Sequence, residues 1–404
     1  MSTIIFVMLP EAGHVNASLK MAKSLKANGH RIFYLGISDF EDYIISQGLE
    51  FVPIMADHFP KGFLAQNSFN IATFEVLVTM LSKKLAGSNV TAFDVLRQEV
   101  NLHIQRIRPD LVVSDALLAD FAFIIHSMGV PIIFLSTTLF YPWDTDRIVT
   151  SPLRNVITMF LCPQEFDFHS AKKRDCDHYV EASIDVERIE TDFPFDRLDK
   201  TKRLIYFSLG SQTHLFSECK QFLQTMVDIM WEKQDCEMIL TTGRMVTSQE
   251  LRSIPPNVFT VQTAPQLQIL RRASLMVTHG GLNSVKECIY FGVPMIVFPL
   301  VRDQPLNAAR IVYHGLGLRG DIHKINAGEL LEMINRADGD PDLRERVGIM
   351  AKRFRELEES PPSIRIIEEV LNTARMAYGM STNKTSNRSS IESAEPKIRD
   401  MLSN

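Results

Sequence analysis

One stretch limits what this chain can fold into: residues 264–307, APQLQILRRASLMVTHGGLNSVKECIYFGVPMIVFPLVRDQPLN. Ser274 to Thr278 is a short apolar run bounded by turn chemistry, which reads as a buried parallel strand. His279-Gly280-Gly281 follows it. Asn283 to Phe291 then reads as a helix, stopped by Gly292 with Pro294 just beyond. Met295 to Phe298 is the next buried strand, and Asp303-Gln304-Pro305 opens another helix. A strand that feeds a glycine turn and a helix start aims free backbone N–H groups and a positive dipole end at one spot, which suits a phosphate.

Each polar residue here also has a purely structural use. Ser284 and Glu287 have the spacing of a capping box, and Asp303 stands where an N-cap ahead of a helix-starting proline would be. His279 could simply satisfy a turn. Yet His279, Asn283, Ser284, Glu287, Asp303 and Gln304 all fall near the carboxyl ends of two successive strands, where open α/β sheets bind ligands. Capping alone does not require so many polar groups at one edge.

The order P-Q, H-G-G-x-N-S-x-x-E, G-V-P and D-Q resembles the sugar-donor signature of the family 1, UDP-glycosyltransferase-like enzymes. It is carried by Pro265, Gln266, His279, Gly280, Gly281, Asn283, Ser284, Glu287, Gly292, Pro294, Asp303 and Gln304. Plant members have Trp where this chain has Thr263 and Leu282, and a longer run between P-Q and His, so the chain looks like the bacterial antibiotic and macrolide type. The resemblance implies an α/β protein of GT-B fold, with two Rossmann-like parallel-sheet domains facing a central cleft. It implies donor contacts from Gly13, Ser211, Ala264, Gln266, His279, Gly281, Asn283, Ser284, Glu287, Asp303 and Gln304, and leaves UDP against dTDP open.

The amino-terminal part fits the same scheme. Ile4 to Leu9 reads as a strand ending in Pro10-Glu11-Ala12-Gly13-His14, then a helix from about Val15 to Ala27 and a strand from Arg31 to Leu35. Pro109 to Asp115 is a strand that ends in an acid at the same sheet edge as His14. The resemblance makes His14 the general base, expected to be neutral near pH 7 from a reference pKa of about 6.5, and Asp115 its partner. It assigns the apolar residues between 55 and 90, Phe59, Phe63, Phe69, Phe74 and Leu77 among them, to an acceptor pocket. Residues 141–200 read as irregular. The expected division is 1–195 for the acceptor domain, 203–360 for the donor domain, 361–380 for a helix returning to the first domain, and 381–404 for a mobile tail.

Composition removes other classes. A net charge of −5 without a basic run argues against nucleic acid. Five scattered cysteines without C-x-x-C spacing argue against zinc and a disulfide framework, and fit a reducing cytosol. The first apolar run has no basic region before it and is expected to be a strand, not a signal peptide; no run is long enough to span a bilayer. Gly315-Leu316-Gly317-Leu318-Arg319-Gly320 matches a dinucleotide fingerprint, but a helix precedes it where a strand is needed. Asp144/Asp146, Asp175/Asp177 and Asp338/Asp340 match a metal-holding D-x-D, all in loop-like context. What the resemblance implies is a metal-independent, inverting hexosyltransferase without a resident cofactor, expected to be monomeric or homodimeric. It would move a hexose, glucose being the expected one, from a nucleotide sugar to a hydrophobic hydroxyl compound. A GT-B nucleotide-sugar 2-epimerase and a silent sugar-nucleotide-binding module are the alternatives.

Overall fold

The computed structural model describes residues 1–66, 74–87, 89–139, 153–169, 173–210, 218–243, 246 and 248–384. Residues 1–364 form one compact unit and 365–404 a second.

The chain opens with Thr3–Val7 (β1), Ala12–Ala27 (α1), Arg31–Gly36 (β2), Glu41–Ser46 (α2) and Glu50–Pro53 (β3). Three helices follow: Phe63–Gln66 (α3), Phe74–Lys84 (α4) and Ala92–Ile107 (α5). Leu111–Asp115 (β4), Ala119–Ser127 (α6), Ile132–Ser136 (β5), Thr158–Phe160 (β6) and Asp177–Tyr179 (β7) complete the first half. The second half runs Arg203–Ser208 (β8), Glu218–Ile229 (α7), Cys236–Thr241 (β9), Val258–Val261 (β10), Gln266–Leu270 (α8) and Ala273–Thr278 (β11). Leu282–Phe291 (α9), Met295–Val297 (β12), Gln304–Tyr313 (α10), Gly317–Arg319 (β13), Ala327–Gly339 (α11), Pro341–Glu359 (α12) and Pro362–Lys384 (α13) follow.

The strands form two sheets, of order β3-β2-β1-β4-β5-β6-β7 and β10-β9-β8-β11-β12-β13. Their pairings are parallel. Strands such as β1 (TIIFV) and β8 (RLIYFS) are apolar almost throughout because helices cover both faces of a parallel sheet. In each sheet the winding direction reverses once, between β1 and β4 and between β8 and β11. A crevice opens above the strand carboxyl ends at such a reversal.

Two expectations need correction. Helix α1 starts at Ala12, not near Val15, so His14 lies in its first turn. Residues 141–200 are not wholly irregular, since β6 and β7 extend the first sheet. Each has three residues, too short to display a period of two. The dinucleotide-like run contains β13, with helix α10 before it, which removes a nicotinamide reading. Its Gly317 serves packing: a Cβ there would lie 2.1 Å from the Met295 carbonyl oxygen.

The halves share buried structure. Phe160, Cys162 and Ile184 pack in one cluster with Val285, Ile289 and Met295. Lys286 of α9 is 1% exposed, and its Nζ donates to the carbonyls of Leu161 and Ala182, both at 2.9 Å. Arg310 of α10 is fully buried and donates from Nε to Asp167 Oδ1 at 2.7 Å. A buried cation is tolerated only with such partners. Both helices that follow β11 and β12 are thus tied to the chain just after β6. Gly317→Ala should destabilise the protein by about 1–3 kcal/mol through overpacking between β12 and β13. A fall in melting temperature checks this; an unchanged one would contradict the close approach.

Candidate active site

His14 follows β1 and Asp115 ends β4, the two strands at the first reversal. His14 Nδ1 donates to Asp115 Oδ2 at 2.6 Å, and the Thr137 hydroxyl lies 2.8 Å from the same nitrogen. Asp115 is 1% exposed; its Oδ1 accepts from Leu117 N at 3.0 Å, which fixes the carboxylate behind the ring. With Nδ1 committed to a carboxylate, Nε2 is the nitrogen left to take a proton. Burial is the largest influence on the His14 pKa and lowers it. The charge and hydrogen bond of Asp115, with smaller contributions from Glu11 and Asp303, outweigh burial and raise it above 6.5. The ring is therefore more readily protonated than its reference value suggests.

Across the crevice, β11 ends in His279-Gly280-Gly281 and feeds α9. Gly281 is the N-cap and no side chain caps the helix, so Ser284 and Glu287 do not form the capping box that their spacing allowed. Instead Gln266 Nε2 donates to Glu287 Oε2 at 2.5 Å and lies 3.3 Å from Ser284 Oγ, while Arg188 Nη1 donates to Glu287 Oε1 at 3.0 Å. The first-turn N–H groups of α9, at Leu282, Asn283 and Ser284, have no intrahelical carbonyl to bond and point into the crevice end. The ring of half-buried His279 is clamped: a Cβ on Gly210 would come within 2.6 Å of it, and one on Gly281 within 2.7 Å. Desolvation pulls its pKa down to about 4, so the imidazole is neutral. Gly210 has a φ of +84° and Gly280 one of +85°, conformations that side chains resist.

After β12, Asp303 is the N-cap of α10 but makes no capping hydrogen bond. Its Oδ2 accepts from Asn307 Nδ2 at 2.8 Å, and the same amide reaches the Gly280 carbonyl at 2.9 Å. Burial pushes the Asp303 carboxyl up, against the Asn307 hydrogen bond and the charges of His14 and Arg302. Gln304 turns inward, where its Oε1 accepts from Leu300 N at 2.9 Å and Val301 N at 3.0 Å. That bracing holds a turn in which Arg302 has a left-handed φ of +59°.

Two contacts close the distance between the halves. Asn283 Nδ2 donates to the Gly13 carbonyl, and Arg302 forms a two-pronged pair with Glu11 at 2.8 and 3.2 Å. The carboxyl edges of both sheets therefore face one crevice. A family model described as the erythromycin biosynthesis protein CIII-like C-terminal domain matches residues 225–371, which include Gln266, His279, Glu287, Asp303 and Gln304. The chain is 22% identical over 392 residues to NDP-glycosyltransferase YjiC of Bacillus subtilis (strain 168), covering 87% of this chain and 93% of the relative. It is 24% identical over 376 residues to oleandomycin glycosyltransferase of Streptomyces antibioticus, covering 83% of this chain and 83% of the relative. The crystal structure of the glycotransferase of kitacinnamycin aligns with a TM-score of 0.73 at 22% identity, covering 91% of this chain and 98% of that one. The chain is thus similar in sequence to glycosyltransferases and shares the fold of an antibiotic-type one.

The crevice brings together most of the residues that the sequence singled out. Gly13, His14 and Asp115 lie on one side; Gln266, His279, Gly281, Asn283, Ser284, Glu287, Asp303 and Gln304 lie on the other. Ala264 is half-buried and packs against the shared core. Ser211 lies outside the described residues, as do Phe69 and the Asp144/Asp146 pair. The other acidic pairs are structural. Asp177 accepts from Arg174, Asp338 from Arg344, and Asp340 caps α12 by accepting from Leu343 N at 3.0 Å. No cluster able to hold a metal ion occurs among the described residues, and no helix among them is long and apolar enough to cross a membrane. Thr137, Asn307 and Arg188 were missed. Thr137 stands one residue beyond β5, at the same edge as Asp115, and Asn307 one helical turn after Asp303; those positions were the available signals. Arg188 had none, since its partner is 99 residues away.

Asp115→Asn should move the His14 titration from above 6.5 to below it, because the raising charge is lost and desolvation remains. The parent pair stabilises the fold fully below the unfolded histidine pKa of about 6.5 and loses that stabilisation as the pH rises through the folded value. Histidine NMR titration and the pH dependence of unfolding read both effects; an unmoved midpoint would exclude the pairing in solution.

Proposed function

We propose that this protein is a glycosyltransferase that moves a hexose from a nucleoside diphosphate sugar to a hydroxyl of a hydrophobic small molecule, with inversion at the anomeric carbon and without a metal. The observation that carries the reading is the His14–Asp115 pair facing the start of α9 across one crevice.

Two tasks define the chemistry. The acceptor hydroxyl must lose a proton as it attacks, and the departing diphosphate must be stabilised as its charge grows. His14 Nε2 takes the proton while the acceptor oxygen bonds to the anomeric carbon. Asp115 holds the tautomer and stabilises the imidazolium that forms. As that bond forms, the bond from the anomeric carbon to the phosphate oxygen breaks, and the diphosphate keeps the electron pair. The N–H groups opening α9, the Ser284 hydroxyl and neutral His279 meet that charge. Asp303 and Gln304 hold sugar hydroxyls, and Glu287 accepts from the ribose. Attack from the face opposite the diphosphate inverts the sugar.

The donor class is supported by the name of the NDP-glycosyltransferase relative, and a natural-product acceptor by the oleandomycin and kitacinnamycin names. Polyketides, macrolides and phenols are the acceptor classes this reading covers. Phe59 and Phe63 lie in a buried apolar core cluster of the first half. The five cysteines are free, which accords with a reducing cytosol.

His14→Ala should cut transfer by about 100- to 10,000-fold while leaving nucleotide binding intact, as expected for loss of a general base. Turnover equal to the parent's would exclude His14 from that role. Chelator should leave activity unchanged; complete loss restored by Mn²⁺ would overturn the metal-free mechanism.

A further inference from the structure

The segment joining the two halves reaches into the donor side of the crevice. It is moored on the first half by Lys23 Nζ, which donates to Asp185 Oδ2 at 2.5 Å, and by Ile189 N, which donates to Gln47 Oε1 at 3.3 Å. It is moored on the second half by Glu190, whose carboxylate accepts from Leu267 N at 3.1 Å. Between these anchors Arg188 spreads its guanidinium over two acids, Nη1 to Glu287 Oε1 at 3.0 Å and Nη2 to Glu190 Oε1 at 2.8 Å. The side chains of Arg188 and Glu287 are 10% and 7% exposed. Gln266 holds Glu287 from the other oxygen.

We propose that Arg188 is a specificity-determining positioning residue, which fixes Glu287 so that the protein prefers a ribonucleoside diphosphate to its 2′-deoxy counterpart. The inference rests on the reading that Glu287 faces the donor ribose. A carboxylate offers about four acceptor sites, and two are used by Arg188 and Gln266. One site remains on each oxygen. That pair matches the two vicinal hydroxyls of a ribose. A deoxyribose supplies one hydroxyl and leaves the second acceptor desolvated without a donor, which costs binding. The planar guanidinium is what makes the match rigid: it grips Glu287 with one arm and the anchored Glu190 with the other, so the carboxylate cannot rotate to satisfy itself elsewhere. Ser284 and Gln266 are on the same side of the crevice, but neither supplies a charge to oppose a buried acid.

The test measures the dissociation constants of UDP and 2′-deoxy-UDP, which share one base, against the full chain and its Arg188→Met, Arg188→Lys and Glu287→Gln variants. The parent should favour UDP by about tenfold, the value of one hydrogen bond to a charged group. Arg188→Met should bring the ratio close to one, and Arg188→Lys, which keeps charge without the fork, should leave it between. The ratio is insensitive to a misfolded fraction, which lowers only the number of sites. If Glu287→Gln erases the preference while both Arg188 variants keep it, the ribose reading stands and the role of Arg188 is overturned. If Glu287→Gln changes neither ratio nor affinity, or the parent fails to bind UDP, the donor reading itself fails and takes the inference with it. Tighter UDP binding by Arg188→Met would show that the arginine competes with the ribose, and would also overturn the proposal.

Discussion

A parallel sheet places every strand carboxyl end along one edge, and a change in winding direction opens a crevice there. Everything chemical in this protein depends on that constraint being met twice and the two edges being held face to face. His14 and Asp115 follow β1 and β4; Gly210 and His279 follow β8 and β11. The facing is fixed from behind. Lys286 and Arg310 project from the far sides of α9 and α10 onto Leu161, Ala182 and Asp167, within a core to which both halves contribute. Because those cations are buried and bound to oxygen, sliding one half over the other would strand a charge without a partner. At the crevice itself Asn283 adds a hydrogen bond to the Gly13 carbonyl.

The two crevice histidines illustrate how environment divides one side-chain type into two roles. His14 has a buried carboxylate on Nδ1 and is pushed toward accepting a proton. His279 has no such neighbour acting on it, is clamped between glycines, and is pulled to about 4. One takes a proton more readily than a free imidazole; the other is a fixed, neutral donor or acceptor. Asp303 acts on His14, since its charge raises the ring's pKa from the opposite half while its own carboxyl is pushed up by burial. His14 is thus tuned in part from across the crevice.

Polar residues at such an edge have two possible employments, and the structure separates them. Glu287 has capping spacing yet does no capping; Arg188 and Gln266 hold it at the crevice. Asp340 has the spacing of a metal-binding acid yet caps a helix. Gln304 does both kinds of work, since its side-chain oxygen braces the turn that carries Arg302 while its position opens α10. Spacing says which groups are near each other along a helix or turn, but not which neighbour from another element arrives to occupy them.

Much of this was legible in the sequence. Apolar runs with turn residues between them gave the strands, because a parallel strand covered on both faces has nothing polar to interrupt it. The glycines, the proline after Gly292 and the polar residues at strand ends gave the position of the crevice, because those features act within a few residues. What only the tertiary structure decided is long-range or very short. Strands β6 and β7 have three residues each and depend on their neighbours to exist. The raised His14 pKa needs Asp115, which is 101 residues distant, and Asp303 from the other half. The grip of Arg188 on Glu287 needs a linker laid against the donor helix. Local patterns encode local geometry, whereas the field at a proton and the partner of a carboxylate are set by whatever the fold brings within a few ångströms.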